Sequence, residues 1–258
     1  IIHCWNIKVL VILLSIVWAF GFAIRADAAP QPGAAVPFLI IEAEAPGHAT
    51  TGEVIRMETP PLPTTTTPEL EASGRAYIAI ESAGEYWEMA APIAANALNL
   101  RHCIPDAPTG GGTTATLSLY VNGSFRQKIV LSSRHAWLYG HNPGAGSNGQ
   151  SNDPAAGPPH VFWDEARAFI AGEVRPGDTI RLQKDPSDTA AFYRIDCIDL
   201  KDVPEPLPTP AAGTYLDISS FGADGADAND DTAAIQDCIN AAKAQGKIVW
   251  IPPGTYYQ

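Results

Sequence analysis

From residue 38 to about residue 203 the chain alternates apolar and polar positions over short runs broken by turn residues, with no sustained helical period. This predicts strands at 38–43, 76–80, 85–90, 99–104, 116–121, 127–131, 161–170, 179–184 and 192–200. Asn122-Gly123 between two of them is a type I′ hairpin signal, because both central residues of that turn need positive φ. Past residue 210 the pattern changes. A strand-like run at 215–219 leads through a Gly- and Asp-rich turn into a helix predicted over 232–244. Ile235, Cys238, Ile239 and Ala242 give that helix one apolar face, Asp231 is placed as its N-cap and Gly246 as its C′ residue. A last strand at 248–251 runs into Pro252-Pro253-Gly254.

The front of the chain is different in kind. Residues 9–24 are apolar, preceded by Lys8 and followed by Ala26-Asp27-Ala28, the three-part pattern of a secretory signal peptide. The run is shorter than the ~20 residues of a membrane-spanning helix, so the expectation is export to the extracellular space with no stable membrane anchor. The expected organisation is a signal peptide at 1–28, a lead segment at 29–37, a β-sandwich at 38–203, a Pro-rich linker at 204–213 and a mixed segment at 214–258. The absence of an initiator methionine and the stop soon after the last strand read as a fragment of a longer frame.

Composition narrows the partners. The 258 residues are 46% hydrophobic and 17% charged, compatible with one or two folded domains, and 22 Gly and 23 Pro fit many turns. A formal charge of -12 without a basic cluster excludes nucleic acid, whose affinity comes from clustered Lys and Arg. Of the 4 cysteines Cys4 falls in the signal segment. Cys103, Cys197 and Cys238 form no even framework, and a Cys103 to Cys197 bridge or small buried thiols both remain open. No Cys/His spacing points to zinc. Gly110-Gly111-Gly112 lacks the Lys-Ser/Thr of a phosphate loop.

Candidate chemistry sits in the longer loops, at 59–68, 105–114 and 140–159. Sugar recognition needs flat apolar faces beside polar groups, and Trp137, Tyr139, His141, Trp163 and Asp164 flank the longest loop in that combination. For Trp163, as for Trp87, core packing is an equally good account. Asp224, Asp227, Asp230 and Asp231 read as turn formers and helix caps rather than as a catalytic acid cluster.

The run Phe221-Gly222-Ala223-Asp224-Gly225, then Asp230-Asp231-Thr232 with Ala234-Ile235-Gln236, then Val249 with Ile251-Pro252-Pro253-Gly254 and Tyr256, resembles the opening of pectin-lyase-like right-handed parallel β-helix enzymes. Ile41-Glu42-Ala43-Glu44, Gly84-Glu85-Tyr86-Trp87-Glu88, Leu119-Tyr120-Val121-Asn122-Gly123 and residues 194–200 resemble carbohydrate-binding module families 6 and 35. The runs at 104–115 and 178–185 are similar to the sandwich preceding the β-helix in glycoside hydrolase family 87, the α-1,3-glucanases and mycodextranases. The resemblance implies a mainly β fold: a jelly-roll sandwich, then the truncated start of a right-handed parallel β-helix capped by an α-helix. It implies a structural calcium on Glu42, Glu44 and Asp196, which suits a cation that takes hard oxygen ligands. It also implies an inverting polysaccharide hydrolase acting on α-glucan, the sandwich being an accessory sugar-binding element that contacts the rest of the β-helix. No catalytic residue is carried over. The alternatives are a pectin-type hydrolase or polysaccharide lyase on the same β-helix, or a noncatalytic glycan-binding or adhesion protein.

Overall fold

The computed structural model describes residues 39–60, 67–140, 151–205 and 208–257. The signal segment and its apolar run lie outside them. Among the described residues no helix is long and apolar enough to cross a membrane. The chain divides into two compact units between Asp202 and Val203.

In the first unit, one sheet runs in the order β11 (Asp164–Val174), β6 (Ala95–Cys103), β13 (Tyr193–Lys201), β4 (Ala76–Ile80) and β3 (Glu53–Arg56), with β1 (Leu39–Glu42) also paired to β13. The other runs β2 (Ala49–Thr50), β5 (Tyr86–Ala90), β12 (Thr179–Gln183), β7 (Thr114–Val121) and β8 (Ser124–Ser132). Period-two alternation turns one face of each strand inward. Ile78, Leu98, Leu100, Ile195, Ile198 and Leu200 of the first sheet meet Trp87, Leu117, Leu119, Ile129, Ile180 and Leu182 of the second in one buried core. The predicted hairpin joins β7 and β8, with Asn122 at φ 52° and Gly123 at φ 73°. Along one side the sheets are stitched by Gln127, whose amide donates to Phe169 O at 2.8 Å and accepts from Ala171 N at 2.6 Å.

Two irregularities position the features below. In β13 the register against β6 slips between Ile195 and Cys197, so Asp196 is an extra, bulged residue. The parity of the core residues changes there: Tyr193 and Ile195 face inward before it, Ile198 and Leu200 after it. Second, the run predicted as one strand over 161–170 is two strands, β10 (Pro159–Val161) and β11, because Phe162-Trp163 leaves the sheet. β10 pairs with β9 (Trp137–Tyr139), a short ribbon. With the single-turn helix α1 (Pro68–Glu71), it encloses a second apolar cluster of Ala72, Tyr77, Ala79, Cys103, Ala136, Val161 and Trp163.

The second unit pairs β14 (Tyr215–Asp217) in parallel with β15 (Ile248–Trp250), bridged by helix α2 (Thr232–Gln245). Ile218, Ala223 and Cys238 are its buried apolar centre. Asp231 occupies the N-cap position without capping: Asp230 Oδ1 accepts from Thr232 N at 2.8 Å instead. Gly246 ends the helix in the left-handed region at φ 62°. Among the described residues, Cys103, Cys197 and Cys238 are free thiols.

Candidate functional site

The aromatic residues expected to contact sugar are brought together, and their polar atoms are spent internally. Trp163 is 9% exposed, its ring edge-on to Tyr77 at 5.4 Å, and its indole N–H donates to Pro68 O at 3.2 Å. Tyr139 is 8% exposed and its hydroxyl donates to Asp106 Oδ2 at 2.8 Å. Burial, with that hydrogen bond, pushes the phenol up to about 12. Trp137 is half-buried against the same cluster, donating to Ile104 O at 2.9 Å. Asp164 Oδ2 accepts from His135 N at 2.9 Å. His141 lies outside the described residues. In place of the stacking role expected for Tyr139 and Trp163, the described segments of the loops after β8 bury both rings.

The same loops explain the triple glycine. Asp106 Oδ1 accepts from Ala107 N at 2.8 Å and Gly112 N at 2.7 Å, drawing the turn tight. A Cβ on Gly110 would stand 1.6 Å from Asn152 O, so no side chain fits there.

The carboxylates at the edge of the first sheet form a second constellation. The bulge buries Asp196 completely. Its Oδ1 accepts from Ser73 N at 2.9 Å, and Arg101 Nη1 bonds its Oδ2. Burial pushes the Asp196 carboxyl up to about 6, against the pull of Arg101 and Ser73. Ser73 Oγ donates to Glu42 Oε1 at 2.6 Å. Glu42 Oε2 and Glu44 Oε2 are buried without a hydrogen-bond partner, and burial raises the Glu44 carboxyl, with Glu42 adding to the rise. Calcium takes 6–8 oxygens. Here both Asp196 oxygens are committed to donors, and among the described residues no group of three or more His, Cys, Asp or Glu is placed to hold a metal ion. The arrangement does not fit one ion shared by Glu42, Glu44 and Asp196. Arg101 carried no signal in the sequence beyond its place at an outward position of a strand.

Beside these carboxylates a groove of about 410 Å³ opens on the outer face of the sheet, lined by Ser73, Asn99, Arg101, Glu165, Asp199 and Lys201, with Ile40 and Cys197. Asn99 donates to Glu165 Oε2 at 3.0 Å and Lys201 pairs with Asp199 at 3.1 Å.

In the second unit, carboxylates organise backbone. Asp217, Asp224 and Asp227 each accept from the amide two residues on, at 2.9, 3.0 and 3.0 Å. Asp231 accepts from Asp224 N at 2.9 Å and Tyr257 N at 3.1 Å, tying two loops together.

Comparison with known proteins accounts for both units. A rhamnogalacturonase A/epimerase, pectate lyase-like family matches residues 215–258. Among solved structures, the catalytic domain of Agl-KA is 29% identical with a TM-score of 0.70, over 90% of this chain and 39% of that one. The catalytic unit of the thermostable GH87 alpha-1,3-glucanase from Streptomyces thermodiastaticus strain HF3-3 is 31% identical with a TM-score of 0.64, over 86% of this chain and 36% of that one. The catalytic domain of a GH87 alpha-1,3-glucanase in complex with nigerose is 28% identical with a TM-score of 0.68, over 87% of this chain and 37% of that one. No curated protein sequence matches. The chain thus spans under two fifths of the length of these structures. A family described as the alpha-1,3-glucanase catalytic domain D1 matches residues 35–203, the whole sandwich, and the chain belongs to that family.

Proposed function

We propose that this chain is the N-terminal part of a secreted polysaccharide hydrolase that cleaves α-1,3-glucan. The observation that carries the reading is the order of the two family matches, the D1 sandwich at 35–203 followed by a pectate-lyase-like segment at 215–258, which the GH87 catalytic structures span as one likeness. Glycoside hydrolysis by inversion needs a carboxylic acid and a carboxylate about 6.5–9.5 Å apart. The described carboxylates are not assigned to that pair, because those of the second unit hold turns, a helix start and loop junctions. The sandwich contributes a rigid support, and its polar groove is the part suited to the hydroxyls of a glycan chain. Calcium is not part of this reading. Export rests on the signal-like segment at 1–28.

The pectate-lyase-like match favours one second reading, a pectin-type hydrolase or lyase. The two are separated by assaying the complete protein that carries this segment on α-1,3-glucan and on rhamnogalacturonan. Reducing-sugar release from the first alone is expected. Release from the second alone, or from neither, would sink the α-glucan reading.

A further inference from the structure

The Asp196 bulge, the end of β1, the segment after α1 and the edge of β6 converge on one side chain, Arg101. Its Nη1 bonds the fully buried Asp196 carboxylate, and its Nη2 donates to Glu71 O at 2.9 Å. Its guanidinium lies 5.9 Å from the centre of the Trp163 ring. Through Ser73, which donates from its amide to Asp196 and from its hydroxyl to Glu42, the same side chain is coupled to β1. Four stretches of chain distant in sequence therefore meet around a single positive charge.

We propose that Arg101 is the resident cation of this sandwich, doing with a guanidinium the structural work that the resemblance to carbohydrate-binding modules assigns to a calcium ion on Glu42, Glu44 and Asp196. The chemistry favours the substitution. A guanidinium stays protonated at any pH at which the protein folds, and its planar fork can serve a carboxylate and a carbonyl at once. An ion at the same carboxylate would have to displace Arg101 or sit against its charge. The two partnerless oxygens, Glu42 Oε2 and Glu44 Oε2, fall well short of a calcium shell. They add negative charge to a corner where Arg56 already donates to Glu44 O at 3.0 Å, and this strengthens the hold on Arg101.

The proposal is independent of the reading as an α-1,3-glucanase. Melting of the whole chain is measured with EDTA and with millimolar calcium, for the native protein and for Arg101→Met and Arg101→Lys, alongside metal analysis of protein purified without chelator. The native protein is expected to melt at one temperature in both buffers and to carry no stoichiometric calcium. Arg101→Met leaves Asp196 buried and unpaired and is expected to lower the melting temperature by roughly 6–12 °C. Arg101→Lys keeps the charge, loses the fork and should fall between. If Arg101→Met is not recovered folded, the lysine variant alone decides, by being less stable than the native protein in EDTA. A native protein that loses stability on chelation or carries one calcium per chain, or either variant melting like the native protein, would overturn the proposal.

Discussion

Lys128 holds the same kind of place on the opposite sheet as Arg101 holds on the first. Its ammonium lies 2.8 Å from Asp188 Oδ1, and donates to Ser118 Oγ at 2.6 Å and Ser187 Oγ at 2.9 Å. Asp188 is buried and also accepts from the Thr116 hydroxyl at 2.7 Å, Asp185 accepts from the Tyr120 hydroxyl at 2.8 Å, and the one Ser118 hydroxyl proton is shared between the two carboxylates, its Oγ lying 2.6 Å from Asp188 and 2.7 Å from Asp185. Burial works against both carboxylates, but their hydrogen bonds and Lys128 outweigh it and hold both below the ordinary range. The sign follows: a depressed folded value contributes stability that is present above the unfolded value near 3.8 and lost as pH falls through the folded one. The stability this pair contributes should therefore begin to fall below about pH 5 and go on falling below 3.8, opposite in sign to Asp196, whose raised carboxyl adds stability as pH falls from about 6 toward 3.8. Asp188→Asn should melt lower at pH 7 and show a shallower acid slope, and an unchanged slope would refute the assignment. Lys128→Met, which strands a buried carboxylate, should cost on the order of 3 kcal/mol at neutral pH, measured by denaturant unfolding.

At the scale of elements, two neighbouring aspartates in the second unit have separable jobs. Asp230 caps the first turn of α2 through Thr232 N, whereas Asp231 reaches away from the helix to the amides of Asp224 and Tyr257, and its own amide donates to Tyr257 O at 2.8 Å. Asp230→Ala should lower stability slightly and raise hydrogen exchange only at the start of α2. Asp231→Ala should cost about 1–3 kcal/mol and raise exchange at Asp224 and Tyr257, the two amides it leaves without their acceptor. Identical exchange maps for the two variants would show that the division of labour is wrong. The sequence placed the cap on Asp231 and the structure gives it to Asp230, because both fit an N-terminal turn and only the approach of the 224 and 257 loops decides between them. The sandwich strands were legible from period-two alternation, and the slip at Asp196 is written in the changing parity of Ile195 and Ile198. β2, β3 and β9 span 2, 4 and 3 residues, too few for a period to register. The aromatic cluster misled for a different reason. A tryptophan beside a long loop has the same local sequence whether the loop exposes its ring or folds over it, and here α1 and the β9–β10 ribbon close over Trp163.

For the whole molecule, the decisive fact is where its carboxylates are spent. An inverting pair needs one carboxyl able to give a proton and another able to take one from water, both facing a shared cleft. In the second unit Asp217, Asp224, Asp227 and Asp230 each accept from a backbone amide two residues on, and Asp231 accepts from two. In the sandwich Asp196 and Asp188 are locked to Arg101 and Lys128. The 258 residues on their own should therefore release no reducing sugar from α-1,3-glucan, in an assay where an active GH87 catalytic domain serves as control. Asn substitutions at these aspartates should change melting behaviour and leave that blank unchanged. Measurable turnover by the 258-residue chain, abolished by one of those Asn variants, would place the chemistry inside this segment and overturn the structural roles derived for its acids.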